Sequence, residues 1–268
     1  MRAIILAAGM GTRLQPITLN TPKSLIKIEE ETLIERQIRF LRERGVEEII
    51  VITGYLAEKF EFLKKKYQVT LIYNDKYNIY NNFYTMFLAR HYLADTYVID
   101  ADNYFNDNFL LNHLENSTYF SAYKTHFKQE WVLHTDKNQV VTDITIEDGE
   151  GSILCGVSYW NTEDGQLLQQ AIEKRFEKGN YGEIYWDNIV LEQLSKLKII
   201  RQDIPANAVY EIDSLEDLQY LYISLIKRRT KTLKRRDLVD FSFFLIYNKC
   251  RVFSEIVREL TRFLSFLR

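Results

Sequence analysis

Met1-Arg-Ala-Ile-Ile-Leu-Ala-Ala-Gly-Met-Gly-Thr-Arg-Leu-Gln-Pro-Ile-Thr18, followed shortly by Thr21-Pro22-Lys23, is the stretch on which the reading of this chain turns. A short apolar run, predicted as a buried strand, ends in small residues and enters a turn that carries Gly9 and Gly11. Glycine lacks a Cβ and tolerates positive φ, so backbone at such a turn can come close to a ligand. Successive N–H groups there form a concavity suited to anions. Arg13 and Lys23 add two cations within reach of the same loop. A strand, a glycine turn and flanking cations together predict a triphosphate cradle.

Two better-known glycine loops do not fit. A phosphate-binding Walker loop needs a Gly-Lys pair, and a dinucleotide fingerprint needs a third glycine three positions after the second. This chain has no such pair, and Leu14 stands where the third glycine would be. What remains, Gly9-x-Gly11-Thr12-Arg13 followed by Pro22-Lys23, resembles the signature of nucleotidyltransferases that activate sugar phosphates and alcohol phosphates. On that resemblance Leu6, Ala8, Gly9, Gly11 and Thr12 are expected on the nucleotide, with Arg13 and Lys23 as the cations that assist the reaction.

Working outward, alternating patterns define the fold. Residues 1–8, 48–53, 69–73 and 96–101 are short runs rich in Ile, Val, Leu and Tyr, continuous enough to be strands covered on both faces. Helical patterns lie between them at 32–44, 56–66 and 82–92. Strands alternating with helices imply right-handed crossovers and an α/β, Rossmann-like doubly wound, mostly parallel sheet. Ligands in such sheets bind beyond the carboxyl ends of the strands, which puts the 8–23 loop and the loop after Ile99 on one rim. In the second half, 119–124, 131–135, 140–146 and 153–160 are expected as strands, some antiparallel, with helices near 163–178, 186–193 and 215–227. Antiparallel additions of this kind are expected to build an acceptor pocket.

Composition bounds the function classes. The 268 residues, 46% of them hydrophobic, suffice for one large domain or one domain with an appendage. Two cysteines, Cys155 and Cys250, are too few and too far apart for a disulfide framework or a zinc site, so a cytoplasmic location is expected. No stretch approaches the roughly 20 apolar residues needed to span a bilayer. The net charge of −2 conceals an asymmetry: residues 227–268 hold 12 Lys/Arg against 4 Asp/Glu, and the remainder 23 against 33. An acidic body argues against nucleic acid as a partner. The expected organisation is a catalytic domain over 1–226 and a basic, amphipathic C-terminal helical extension over 227–268, suited to a peripheral membrane contact or to self-association.

The candidate chemistry lies in carboxylates and aromatics. Val98-Ile-Asp-Ala-Asp102-Asn103 ends a predicted strand with two carboxylates placed to hold Mg2+, which takes oxygen ligands and often only one or two carboxylates beside phosphates. Resemblance to the family favours Asp102 over Asp100 as the metal aspartate, and Asp213 in Tyr210-Glu-Ile-Asp213-Ser as the second metal ligand. Trp131, Trp160 and Trp186 all fall in the acceptor half, with Glu130 before Trp131 and Asp187 after Trp186. Tryptophan faces backed by carboxylates attract a quaternary ammonium.

At this point the resemblance becomes close. Met1-x-Ala-Ile-Ile-Leu-Ala-Ala-Gly-x-Gly, Asn74-Asp-Lys-Tyr77, Tyr80-Asn-Asn-Phe-Tyr84, Tyr97-Val-Ile-Asp-Ala-Asp-Asn-Tyr104, Tyr185-Trp-Asp-Asn188 and Tyr210-Glu-Ile-Asp-Ser214 are similar, in order over about residues 1–226, to the bacterial CTP:phosphocholine cytidylyltransferases. That resemblance implies CTP and phosphocholine as substrates, CDP-choline and pyrophosphate as products, and Mg2+ as cofactor. It implies a cytidine-binding role for Tyr80, Asn81 and Asn82, and a choline-facing role for Trp131, Trp186 and Asp187, with Glu130 and Glu211. The rival expectations are the same fold with another acceptor (2-aminoethylphosphonate, phosphoethanolamine or a sugar 1-phosphate) and a non-catalytic nucleotide-binding module.

Overall fold

Ala3, Ile5 and Ala7 of the first strand belong to one apolar cluster, Ile4 and Leu6 to another, so both faces of the strand are covered. Strand side chains alternate between faces. An uninterrupted apolar run is therefore what a doubly covered strand requires. The computed structural model describes residues 1–230, so most of the basic extension expected over 227–268 lies outside the described residues.

In chain order the strands are β1 (Arg2–Ala7), β2 (Lys27–Ile28), β3 (Glu31–Thr32), β4 (Glu48–Thr53), β5 (Thr70–Tyr73), β6 (Thr96–Asp100), β7 (Asn103–Phe105), β8 (Thr118–Thr135), β9 (Val141–Trp160), β10 (Ile200–Ile204) and β11 (Val209–Glu211). The α-helices are α1 (Leu33–Glu43), α2 (Phe62–Tyr67), α3 (Asn82–Ala89), α4 (Thr162–Lys178), α5 (Trp186–Gln193) and α6 (Leu215–Thr230). Seven strands make one sheet in the order β10-β8-β9-β6-β1-β4-β5. β1 pairs in parallel with β4 and β6, β4 with β5, and β10 with β8, while β9 runs antiparallel to β6 and β8. The expected Rossmann-like, mostly parallel sheet with antiparallel additions is what the chain forms.

The helices divide between the faces. Ile34, Ile38 and Leu41 of α1 join the cluster on one side. Phe83 and Met86 of α3, Leu168 and Ile172 of α4, and Trp186 and Ile189 of α5 join the other. The start of α1 is dictated locally: the Glu35 N–H donates to Thr32 Oγ1 at 3.3 Å and the Thr32 N–H donates to the Glu35 carboxylate at 3.1 Å. This reciprocal cap satisfies two helix-terminal donors at once.

In the second half the structure departs from the four short strands expected. β8 and β9 are two long strands that pair with each other through polar stretches, with register shifts along the ladder. Backbone hydrogen bonds need no apolar side chain, so hydrophobic periodicity stops where the ladder continues. His126, Gln129, Gly149 and Gly156 take positive φ along these strands, as bulged backbone does. The three-residue strands β7 and β11, which pair antiparallel, are too short to show any period.

Met1–Glu211 forms one compact unit and Ile212 begins a second. In the second, Ser214 caps α6: its Oγ accepts from the Asp217 N–H at 3.2 Å, and the Asp217 carboxylate accepts from the Ser214 N–H at 2.7 Å. Among the described residues no helix is long and apolar enough to cross a membrane.

Candidate active site

β1 and β6 are adjacent and parallel, with Leu6 opposite Asp100, so the loops that follow them emerge side by side. The Ala101 N–H donates to the Leu6 carbonyl at 3.1 Å and fastens the two strand ends together. The two glycines of the first loop do different work. Gly11 has φ +59, and a Cβ there would lie 3.1 Å from both the Lys23 Cβ and the Thr18 Cγ2, so it closes the loop onto Lys23. A Cβ on Gly9 would meet nothing within 4 Å; Gly9 instead leaves room at the wall of a cavity.

That cavity, about 280 Å3, is lined by Leu6, Ala8, Gly9, Tyr80, Asn81 and Asn82, six of the residues expected at the nucleotide. Tyr77, Thr85, Asp100 and Asp102 complete the wall, and Tyr77 and Thr85 were not among the expected residues. Gly11 and Thr12 do not line it; Thr12 and Arg13 form an exposed 3-10 turn beyond it. Lys23 and Asp102 share an adjoining recess of about 40 Å3.

Lys23 Nζ lies 2.9 Å from Asp102 Oδ2. The other oxygen, Asp102 Oδ1, is buried and has no hydrogen-bond partner among the described residues. A carboxylate oxygen buried without a donor is costly unless something else meets it. A carboxylate oxygen of Glu211, at the end of β11, lies within 4.8 Å of one on Asp102, so this unit offers acidic oxygen ligands suited to a divalent cation. Asp213 stands in the second unit, where its N–H donates to Asp217 Oδ2 at 3.1 Å. Asp100 is a different kind of group: burial pushes its pKa well up, and the nearby charges of Asp102, Asp187 and Glu211 push the same way.

The turn that presents Asp102 is held from behind by residues the sequence reading did not select. Gln37 of α1 is fully buried, and its Nε2 donates to the carbonyls of Asp100 at 3.0 Å and Asn103 at 2.8 Å. Gly156 in β9 has φ +62, and a Cβ there would stand 2.4 Å from Asn103 Nδ2 and 2.8 Å from Asp100 Oδ2. Gly156→Ala is therefore expected to lower the unfolding free energy by about 1–3 kcal/mol through strain at a left-handed position. Urea denaturation of the two proteins checks this; equal midpoints would show that the turn yields freely.

On the acceptor side, the expected residues sit on β8, α5 and β11. Glu130, Trp131, Trp186, Asp187 and Glu211 do not line the 280 Å3 cavity. The segment that carries Trp186 and Asp187 is tied to the cavity wall: the Trp186 N–H donates to Asn82 Oδ1 at 2.9 Å, and Asn81 Nδ2 donates to the Glu183 carbonyl at 2.7 Å. Trp160 is fully buried and meets Trp186, 2% exposed, edge to face at 5.7 Å and 86°, so this pair belongs to the core. Trp131 is half-buried and packs beside the same cluster. Asp187, in the first turn of α5 and also half-buried, accepts from the Tyr119 hydroxyl at 2.8 Å. Burial pushes the Asp187 pKa up to about 6, against the pull of that hydrogen bond. Tyr119 carries no motif; only the fold brings it to Asp187.

Residues 2–142 match the nucleotidyl transferase family model. A choline-phosphate cytidylyltransferase of Streptococcus pneumoniae is 46% identical over 221 residues, covering 82% of this chain and 96% of that protein. One from Haemophilus influenzae is 37% identical, covering 86% of this chain and all of its own length. The solved structure of the CTP:phosphocholine cytidylyltransferase from Streptococcus pneumoniae superposes with a TM-score of 0.82 at 45% identity, covering 84% of this chain and 98% of that one.

Proposed function

The chain belongs to the nucleotidyl transferase family, and on that premise we propose that it is an enzyme that transfers CMP from CTP to phosphocholine, forming CDP-choline and pyrophosphate. The observation that carries the reading is identity of 46% across 96% of a choline-phosphate cytidylyltransferase. A phosphocholine phosphate oxygen bonds to the α-phosphorus of CTP as the bond to the β-phosphate oxygen breaks. The second pKa of a phosphate monoester is about 6, so the nucleophile is largely dianionic at neutral pH and requires no general base. That suits a chain with only four histidines.

In this reading Leu6, Ala8, Gly9, Gly11 and Thr12 cradle the nucleotide, Tyr80, Asn81 and Asn82 take the cytidine end, and Arg13 and Lys23 offset phosphate charge. Mg2+, which the resemblance assigns to Asp102 and Asp213, would supply neutralisation of phosphate charge, and Asp102 is the carboxylate that would present it at the cavity. The buried oxygen of Asp102 that meets no donor among the described residues supports that role. The resemblance assigns Trp131, Trp186, Asp187, Glu130 and Glu211 to the choline side; the Trp186 ring packs against Trp160, so the half-buried Trp131 is the tryptophan with a face to offer the cation. Residues 1–226 are the catalytic region of a cytoplasmic enzyme, and residues 227–268 a basic extension available to an anionic membrane surface or a second copy.

A pH effect follows from Asp187, which accepts from Tyr119 and whose charge acts on Asp100. Its pKa is raised to about 6, so its negative charge is present above that value and lost as pH falls through it. KM for phosphocholine is expected to rise below pH 6, and Asp187→Asn to remove that part of the rise. The variant also separates it from titration of the substrate phosphate, which remains. Stability runs the opposite way: the raised pKa contributes stability that is fully present below the ordinary carboxylate range and is lost as pH rises through about 6.

Pyrophosphate release with Mg2+, across four nucleoside triphosphates and the acceptors phosphocholine, phosphoethanolamine, 2-aminoethylphosphonate and glucose 1-phosphate, tests the reading. A signal confined to CTP with phosphocholine is expected. Preference for another acceptor would discard the choline assignment, and silence throughout would leave a nucleotide-binding module.

A further inference from the structure

Tyr119 is 2% exposed, and its hydroxyl donates to Asp187 Oδ1 at 2.8 Å. The ring is packed on its neighbours. It stands edge to face against Trp160 at 5.5 Å and 87°, and Trp160 stands the same way against Trp186. The backbone of Trp186 is in turn pinned by Asn82, a residue of the cavity wall. One oxygen of Asp187 is thus met by a protein donor, while the residue itself is only half-buried.

A quaternary ammonium has no N–H. It attracts a carboxylate by charge alone and leaves the oxygen lone pairs unmet, in a place where water has been displaced. A primary ammonium brings three donors of its own. A buried charged acceptor stripped of its donor is expensive. The two kinds of cation therefore ask different things of the same carboxylate: one needs the protein to supply the hydrogen bond, the other competes for it.

We propose that Tyr119 is a positioning residue that fits Asp187 to a quaternary rather than a primary ammonium, by supplying the hydrogen bond that such a cation lacks. The inference rests on the reading that phosphocholine is the acceptor and that Asp187 faces its cation. The hydroxyl acts on the acceptor through Asp187 and does not touch the reacting atoms. Its bond also opposes the effect of burial on Asp187, which helps keep the carboxylate charged when choline binds.

The test is steady-state kinetics of wild type and Tyr119→Phe with CTP and either phosphocholine or phosphoethanolamine. The KM for phosphocholine is expected to rise about 10-fold or more, the scale of one hydrogen bond to a charged group, with kcat and the KM for CTP little changed. For phosphoethanolamine the loss is smaller, so the ratio of the two kcat/KM values moves toward the primary amine, by up to about 10-fold where the second loss is negligible. Equal losses with both acceptors, or an unchanged ratio, would overturn the inference. Thermal unfolding in the presence of CTP shows whether the variant keeps the fold. A second comparison, Tyr119→Phe placed on Asp187→Asn, is expected to leave the ratio where Asp187→Asn alone puts it. A full-sized shift in that background would mean the hydroxyl acts by some other route. Wild-type protein that fails to turn over phosphocholine removes the premise and the inference together, whereas normal wild-type turnover with an unmoved ratio removes the inference alone.

Discussion

Asp102→Asn is expected to lower kcat/KM by about 10²–10³-fold, the scale of removing one preorganised electrostatic group from a reaction site. Asn has nearly the shape of Asp and can still accept from Lys23, so the fold and the 2.9 Å contact with Lys23 are retained in kind. What is lost is the negative charge and the second carboxylate oxygen, the buried Oδ1 that meets no donor among the described residues. A cation-binding role predicts that the loss falls chiefly on kcat and that the variant needs a higher Mg2+ concentration for half-maximal rate. A purely structural role predicts a lower unfolding midpoint with an unaltered Mg2+ requirement. Pyrophosphate release titrated with Mg2+ decides between them, and near-wild-type turnover would remove Asp102 from the reaction.

Lys23→Met is expected to cost a similar factor of about 10²–10³. Lys23 is only 13% exposed and shares a recess of about 40 Å3 with Asp102, away from bulk water. Charges count for more where the dielectric is low. Arg13 sits in an exposed turn, so Arg13→Met is expected to cost less. Because Lys23 and Asp102 touch, their losses are not expected to add. The double variant Lys23→Met, Asp102→Asn should therefore be less impaired than the product of the two single losses. Strict additivity in kcat/KM would mean that the pair acts as two unconnected groups.

Much of the site could be read in the chain because it is local. The loop from Ala8 to Lys23, the strand end at Asp100 and Asp102, and the segment Tyr80 to Asn82 each announce themselves in a few consecutive residues; the fold brings Ala8, Gly9, Tyr80, Asn81, Asn82, Asp100 and Asp102 to one cavity and Lys23 to the recess it shares with Asp102. The acceptor side was less legible. Tryptophans 160 and 186 suggest a cage by composition, yet they pack edge to face in the core, because a large apolar surface is buried wherever the fold allows. Gln37, Gly156 and Tyr119 carry no motif. Gln37 is a polar residue on a helix face, and nothing in its neighbours says that its amide will hold the turn after β6.

The sequence by itself determined the class of sheet, the alternation of its strands and helices, and the glycine loop at the end of the first strand. These depend on periodicity and on glycine, which act over a few residues. Only the tertiary structure decided that β8 and β9 run on as long paired strands, that Gly11 closes onto Lys23 while Gly9 opens toward the cavity, and that Tyr119 reaches Asp187 across 68 positions. Those outcomes are set by which distant backbones and side chains end up within a few ångströms of each other, and no local pattern records that distance.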